Sequence, residues 1–185
     1  MKKYAITLLI SILANCLMGQ NNEDKGKTET VKWMSVSEAF ERNKTSYPKK
    51  KIFIDFYTDW CGWCKRMDQT TFGHPEIAKF MNEHFWNVKF DAEMADTVKI
   101  DNSIFINPRP GVKRSTHQFA INILNNRLSY PSYAFLNESN NMITTVPGYY
   151  KPQDFETIIK YIGQNEYLKM PFDQFKSNFK NTIIE

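Results

Sequence analysis

The stretch that most limits what this chain can fold into runs from Lys51 to Lys65. A nearly unbroken apolar run, Ile52-Phe53-Ile54-Asp55-Phe56-Tyr57, passes through a short polar turn into Trp60-Cys61-Gly62-Trp63-Cys64-Lys65. An apolar run of strand length without alternation reads as a strand covered on both faces, which calls for helices on each side of a sheet. After Cys64 the residues Met67, Phe72, Ile77, Phe80, Met81 and Phe85 keep roughly helical spacing, interrupted by Gly73-His74-Pro75, so a kinked or split helix is expected. Trp86 to Asp91 then alternates as a second strand. A strand-helix-strand unit closes by a right-handed crossover with its strands parallel, and the expected class is α/β.

Two cysteines separated by two residues, placed where a strand hands over to a helix, lie on the helix's first turn. Unpaired N–H groups and the positive dipole end there favour a thiolate. The first sulfur is then a nucleophile, and the second can reach it to close a small-loop disulfide, so the motif supports reversible thiol–disulfide exchange. A zinc site would need two more ligands at metal-type spacing. The third cysteine, Cys16, lies in an apolar N-terminal run, and His74, His84 and His117 are scattered singly. A purely structural bridge would close a loop too short to remove much chain entropy. The exchange chemistry calls for no metal and no cofactor.

At 185 residues with 42% hydrophobic content, one core with appendages is the default. Met1-Lys2-Lys3, an apolar run from Tyr4 to Met18 and a polar switch at Gln20 have the layout of a secretory signal, so residues 1–19 are expected to direct export. Residues 20–30 read as a tether, 31–165 as the main domain and 166–185 as a helical extension. Cleavage near Gly19 or Gln20 would discard Cys16. The alternative is lipidation of Cys16, three residues after Leu13, which would anchor the protein to a membrane surface. The formal charge of +4 falls to +2 once Lys2 and Lys3 are removed, which argues against a nucleic-acid partner. Lys49-Lys50-Lys51 reads as a solvated strand entrance.

Asp55 to Lys65 resembles the strand and active-site signature of the thioredoxin superfamily, and Tyr130-Pro131-Ser132 before Tyr133 to Leu136 resembles its cis-proline strand. The resemblance covers roughly residues 31 to 165. Gly62-Trp63 stands where Gly-Pro is commonest, which is more like exported thioredoxin-like proteins that reduce other disulfides, including the C-terminal domain of DsbD-type interchange proteins. It implies a thioredoxin-like fold, a central mixed sheet flanked by helices, here with an insertion after the second parallel strand and an extra C-terminal helix. It also implies a thiol:disulfide oxidoreductase acting on protein or peptide disulfides and recharged by an upstream electron donor. Cys61 would attack and Cys64 resolve, with Asp55 as general base for Cys64. Trp60, Gly62, Trp63, Tyr130 and Pro131 would meet the substrate. The family's partner lysine falls near Asn87, with Lys89 on the same face two residues on. Two rival readings are a redox carrier dedicated to one partner, for example in cytochrome maturation, and a non-catalytic binding module.

Elsewhere, Val31 to Met34 suits a short first strand. Ser35-Val36-Ser37-Glu38 fits a capping box, with a helix to about Asn43. Ala92 to Lys113 is a long connection containing the turn cluster Asn107-Pro108-Arg109-Pro110-Gly111, expected to border the cysteines. Helical spacing resumes from Ser115 to Leu124. Ser132 to Leu136 and Met142 to Val146 form a hairpin, Pro152 to Gly163 an amphipathic helix, and Pro171 to Ile183 a last helix carrying Phe172, Phe175 and Phe179.

Overall fold

The computed structural model describes residues 29–184. The expectations for the signal, most of the tether and Cys16 therefore lie outside the described residues. In chain order the elements are β1 (Trp33–Met34), α1 (Val36–Thr45), β2 (Lys51–Tyr57), α2 (Gly62–Met67), α3 (Pro75–His84), β3 (Phe85–Asp91), β4 (Val98–Ile100), β5 (Ser103–Phe105), α4 (Gln118–Ile123), β6 (Ser132–Leu136), β7 (Met142–Pro147), α5 (Pro152–Gly163) and α6 (Phe172–Asn178).

The central sheet has the order β1-β3-β2-β6-β7. β1, β3 and β2 run parallel, and β6 and β7 are antiparallel to their neighbours. β2 lies in the middle, and Ile52 through Phe56 are 0–1% exposed. Because side chains alternate across a strand, β2 feeds two cores. Phe53 joins Met67, Phe72, Ile77, Phe135 and Phe155 under α2, α3 and α5. Ile52, Ile54 and Phe56 join Val36, Phe40, Val88 and Phe119 under α1 and α4. Phe53 meets six rings, those of Trp33, Phe72, Phe85, Tyr133, Phe135 and Phe155, at centroid separations of 5.2–6.4 Å.

Local signals place the helix starts. Ser35 Oγ accepts the Glu38 N–H at 3.2 Å and caps α1. The helix begun at Gly62 continues through a π-helical stretch, Asp68–Phe72, and breaks at Gly73. A Cβ on Gly73 would stand 2.8 Å from the Gln69 carbonyl oxygen. His74 Nδ1 accepts the Glu76 N–H at 3.3 Å, with Pro75 at the first helical position of α3. His84 closes α3 and stacks on Phe80.

Three expectations need correction. Lys51 is not solvated: it is 3% exposed and pairs at 2.7 Å with Glu138 from the β6–β7 turn, as a buried ammonium requires. Lys50 lies 4.8 Å over the Trp86 ring, and only Lys49 of the three is exposed. The long connection holds a small antiparallel hairpin, β4–β5. Its following helix starts only after His117, whose Nδ1 accepts the Phe119 N–H at 3.1 Å. Finally, α6 ends at Asn178 because the chain beyond it is captured by Glu156. This buried carboxylate on α5 accepts the Thr182 N–H at 3.0 Å and the Ile183 N–H at 3.1 Å, and pulls Ile183 into the core.

Candidate functional site

β2 ends beneath a turn in which the Cys61 N–H donates to the Thr58 carbonyl at 3.0 Å. This turn delivers Cys61 to the N-cap of the helical run Gly62 to Phe72. Cys61 and Cys64 form a disulfide of 2.05 Å. The Cys64 N–H donates to Cys61 Sγ at 3.1 Å, so one orphan donor of the first turn is spent on that sulfur. This bond favours negative charge on Cys61, as does its place at the positive end of the helix. Depth does not separate the two cysteines, which are 4% and 3% exposed; the hydrogen bond does.

Two exposed tryptophans flank the pair. Trp60 is 50% exposed, yet its ring is held: Nε1–H donates to Glu93 Oε1 at 3.0 Å, Tyr130 meets it edge-on at 6.1 Å, and the Arg114 guanidinium lies 5.8 Å over its face. Trp63, 59% exposed, packs at 5.3 Å on Tyr149, whose hydroxyl is hydrogen-bonded to Thr70 at 3.2 Å. Gly62 is exposed between them. The Tyr130–Pro131 bond is cis and directly precedes β6, as is a second cis bond, Tyr47–Pro48, before β2. Tyr149 also lines a cleft of about 820 Å³ with Tyr161 and Phe172, between β7, α5 and α6; neither cysteine borders it.

Asp55 lies in the middle of β2, 1% exposed. Parallel pairing sets it opposite Lys89 on β3, and antiparallel pairing sets it opposite Tyr133 on β6. Its Oδ2 is 2.8 Å from Lys89 Nζ, while its Oδ1 has no hydrogen-bond partner among the described residues. Burial penalises the carboxylate more than Lys89 favours it, and the pKa is pushed up to about 6. Lys89, not Asn87, is therefore the lysine beside Asp55. Asn87 is buried and donates instead to Asn82 at 3.3 Å.

The Lys89 ammonium is shared. It also pairs with Asp68, one turn beyond Cys64, and lies 4.9, 5.1 and 5.4 Å from the ring centres of Trp33, Tyr57 and Phe72. Burial acts to lower its pKa, but the two carboxylates outweigh that and raise it. Near Asp55, burial drives the Tyr133 hydroxyl far above its usual range. Among the described residues no group of three or more His, Cys, Asp and Glu side chains could hold a metal ion.

Of the residues singled out in the sequence, the structure joins Cys61 to Cys64, buries Asp55 beside Lys89 and sets Trp60 against Tyr130. The sequence did not point to Asp68, Tyr149, Glu93 or Arg114, which the fold brings against Lys89, Trp63 and Trp60. Asp68 carried a weak signal, an acid on the cysteine-bearing helix, whereas Glu93 and Arg114 reach Trp60 only through the folded insertion.

The family model Thioredox_DsbH, described as "Protein of unknown function, DUF255", matches residues 23–181. A protein named thiol:disulfide interchange protein DsbD, from Haemophilus ducreyi, is 28% identical over 106 residues, which are 57% of this chain and 15% of that protein. The chain thus spans under a sixth of the length of that curated relative. A solved structure titled DsbH Oxidoreductase superposes with a TM-score of 0.53 at 19% identity, covering 80% of this chain and 95% of that one. A putative disulphide-isomerase from Bacteroides thetaiotaomicron gives 0.51 at 23% identity, with 75% and 97% covered. These superpositions show the thioredoxin-like fold. With the family model spanning most of a chain whose central strand ends in a Cys-x-x-Cys disulfide, the chain belongs to the DsbH-type family of thioredoxin-fold, thiol:disulfide oxidoreductase-like proteins.

Proposed function

We propose that the protein is an exported reductase of protein or peptide disulfides that works by cycling Cys61 and Cys64. The observation that carries this reading is the Cys61–Cys64 disulfide at the head of a helix, with the Cys64 N–H directed at Cys61 Sγ. In the dithiol form the Cys61 thiolate attacks one sulfur of a substrate disulfide. The bond broken is the substrate S–S, its second sulfur leaves as a thiolate, and a mixed disulfide forms. Asp55 then takes the Cys64 proton, for which a carboxyl poised near 6 is suited at neutral pH. Cys64 attacks Cys61 Sγ and expels the remaining substrate thiolate. Two electrons have passed to the substrate, and a dithiol donor returns the pair to its reduced state. Trp60, Gly62, Trp63 and Tyr130 form the rim against which the substrate lies, and Pro131, itself buried, acts through the cis bond that sets Tyr130 there. The basic and apolar N-terminal segment supports export, and among the described residues no helix is long and apolar enough to cross a membrane.

The test is catalysed reduction of insulin by dithiothreitol, with the equilibrium potential against glutathione measured in parallel. The reading expects turnover that Cys61→Ser abolishes, and a potential on the reducing side of glutathione. Wild-type turnover no faster than with Cys61→Ser contradicts it, and a potential well above glutathione's would make the protein an oxidant.

A further inference from the structure

The insertion between β3 and α4 carries a surface that the fold does not use. From Ile104 to Arg114 the chain reads Ile-Phe-Ile-Asn-Pro-Arg-Pro-Gly-Val-Lys-Arg, three bases and no acid. Arg109, Lys113 and Arg114 are exposed, and no ion pair among the described residues engages them. Of the three acids elsewhere in the insertion, Glu93 accepts from Trp60 and Asp101 pairs with Lys44 at 2.6 Å, while Asp96 is exposed and stands eight residues before the segment. The same segment exposes Ile104 (63%), Ile106 (44%) and Val112 (50%). Exposed apolar side chains mark a contact surface when they gather on one patch, and these three fall within nine residues of one another.

The segment is also held in shape and held near the cysteines. Asn107 is 4% exposed and acts as its hub. Its Nδ2 donates to the carbonyls of Glu93, Met94 and Ser115 at 3.1, 3.2 and 2.8 Å, and its Oδ1 accepts from Ser115 Oγ at 2.6 Å and the Arg109 N–H at 3.1 Å. The Gln118 N–H donates to the Ile106 carbonyl and the Ile106 N–H to Gln118 Oε1, each at 3.0 Å. One end of the segment reaches the cysteine turn, where Arg114 covers Trp60. Through Asn107 it also braces Glu93, which fixes the Trp60 indole.

We propose that residues 104–114 are a docking surface, beside Cys61, for an acidic segment bearing apolar side chains on the polypeptide whose disulfide is exchanged. This rests on the exchange reading above and adds the chemistry of the partner. Charge complementarity selects the sign, since three bases without a carboxylate among them attract acidic chains and repel basic ones. The apolar residues would give such a segment something to bury once it has arrived.

The test uses three synthetic peptides that share one intramolecular disulfide and apolar flanks and differ only in flanking Glu, Gln or Lys. Pre-reduced full-length protein is mixed with excess oxidised peptide, and formation of the Cys61–Cys64 disulfide is followed by acid quench and mass spectrometry. The expected second-order rate constant for the Glu peptide exceeds that for the Lys peptide roughly tenfold or more at low salt. The gap narrows as ionic strength rises and the screening length falls below about 10 Å. In R109E/K113E the order of the Glu and Lys peptides reverses. Equal rates for the three peptides with the wild type, or an unchanged order in the variant, overturn the docking surface alone. A chain that oxidises with none of them overturns both the surface and the exchange reading beneath it. Should the variant not fold, the wild-type peptide order and its salt dependence still decide the matter.

Discussion

Asp55→Asn, studied in the disulfide form so that neither cysteine titrates, should stabilise the protein increasingly as pH rises from 4 to 8. The carboxyl has an ordinary pKa of 3.8 and is lifted to about 6 in the fold, chiefly by burial. Below 3.8 both folded and unfolded chains hold the proton, and Asp55 contributes nothing to the pH dependence. Between 3.8 and about 6 the unfolded chain releases it while the folded chain keeps it, so stability falls with rising pH. Above about 6 the penalty is constant. A gap of about 2.2 in pKa, at about 1.36 kcal/mol each, makes it on the order of 3 kcal/mol. The substituted amide carries no such penalty, so the variant-minus-wild-type difference should grow by roughly 2–3 kcal/mol between pH 4 and pH 8. For a chain of this size that corresponds to about 5–10 °C in Tm. In the wild type the two carboxylates hold the Lys89 pKa above its ordinary value, and Asp68 remains beside it in the variant. The other shifted groups, Asp91, Glu138, Glu156, His84 and His117, are common to both and cancel. The assay is thermal unfolding of both oxidised proteins at four pH values. A Tm difference that does not change with pH would refute the claim that burial lifts Asp55.

The shared ammonium gives a paired prediction. Lys89→Met removes the charge 2.8 Å from Asp55 that opposes burial, so the pH at which stability levels off should move up; Asp68→Asn, which removes a carboxylate that raises Asp55, should move it down. Both are read from the same unfolding series. Gly163→Ala should destabilise despite alanine's better helix propensity, because its Cβ would stand 2.9 Å from the Phe80 ring and 3.3 Å from Phe85. Denaturant unfolding should register a loss of about 1–3 kcal/mol, and a gain would mean that the Phe80 ring yields to the new methyl group without cost.

What could be read from the sequence was what local chemistry decides. The span Pro152–Gly163 of α5 follows from a proline start and apolar residues at helical spacing, and the break at Gly73-His74-Pro75 follows from residues that end one helix and cap the next. Ser35 announced its cap, and Cys61 its place at a helix head. The rest depends on what the chain brings together from afar. Lys51 looked solvated because its partner, Glu138, arrives only when β6 and β7 fold back beside β2. The lysine beside Asp55 could be chosen only from the register, which sets Lys89 and not Asn87 opposite it. The three-residue strands β4 and β5 are too short to show a period, and the length of α6 is set by Glu156 on another helix. Trp60 was legible as exposed, but the grip of Glu93 and Arg114 on it was not.

If Cys61 attacks and Cys64 resolves, the two single-cysteine variants must differ in what they trap. The most direct measurement is mass spectrometry, under non-reducing conditions, of the two single-cysteine variants after reaction with a disulfide-bonded peptide. Cys64→Ala keeps the sulfur at the helix N-cap and removes the one that would release it, so it should accumulate a stable mixed disulfide through Cys61. Cys61→Ala loses the favoured thiolate and should accumulate little. Equal trapping by both variants, or trapping by Cys61→Ala alone, would contradict the assignment.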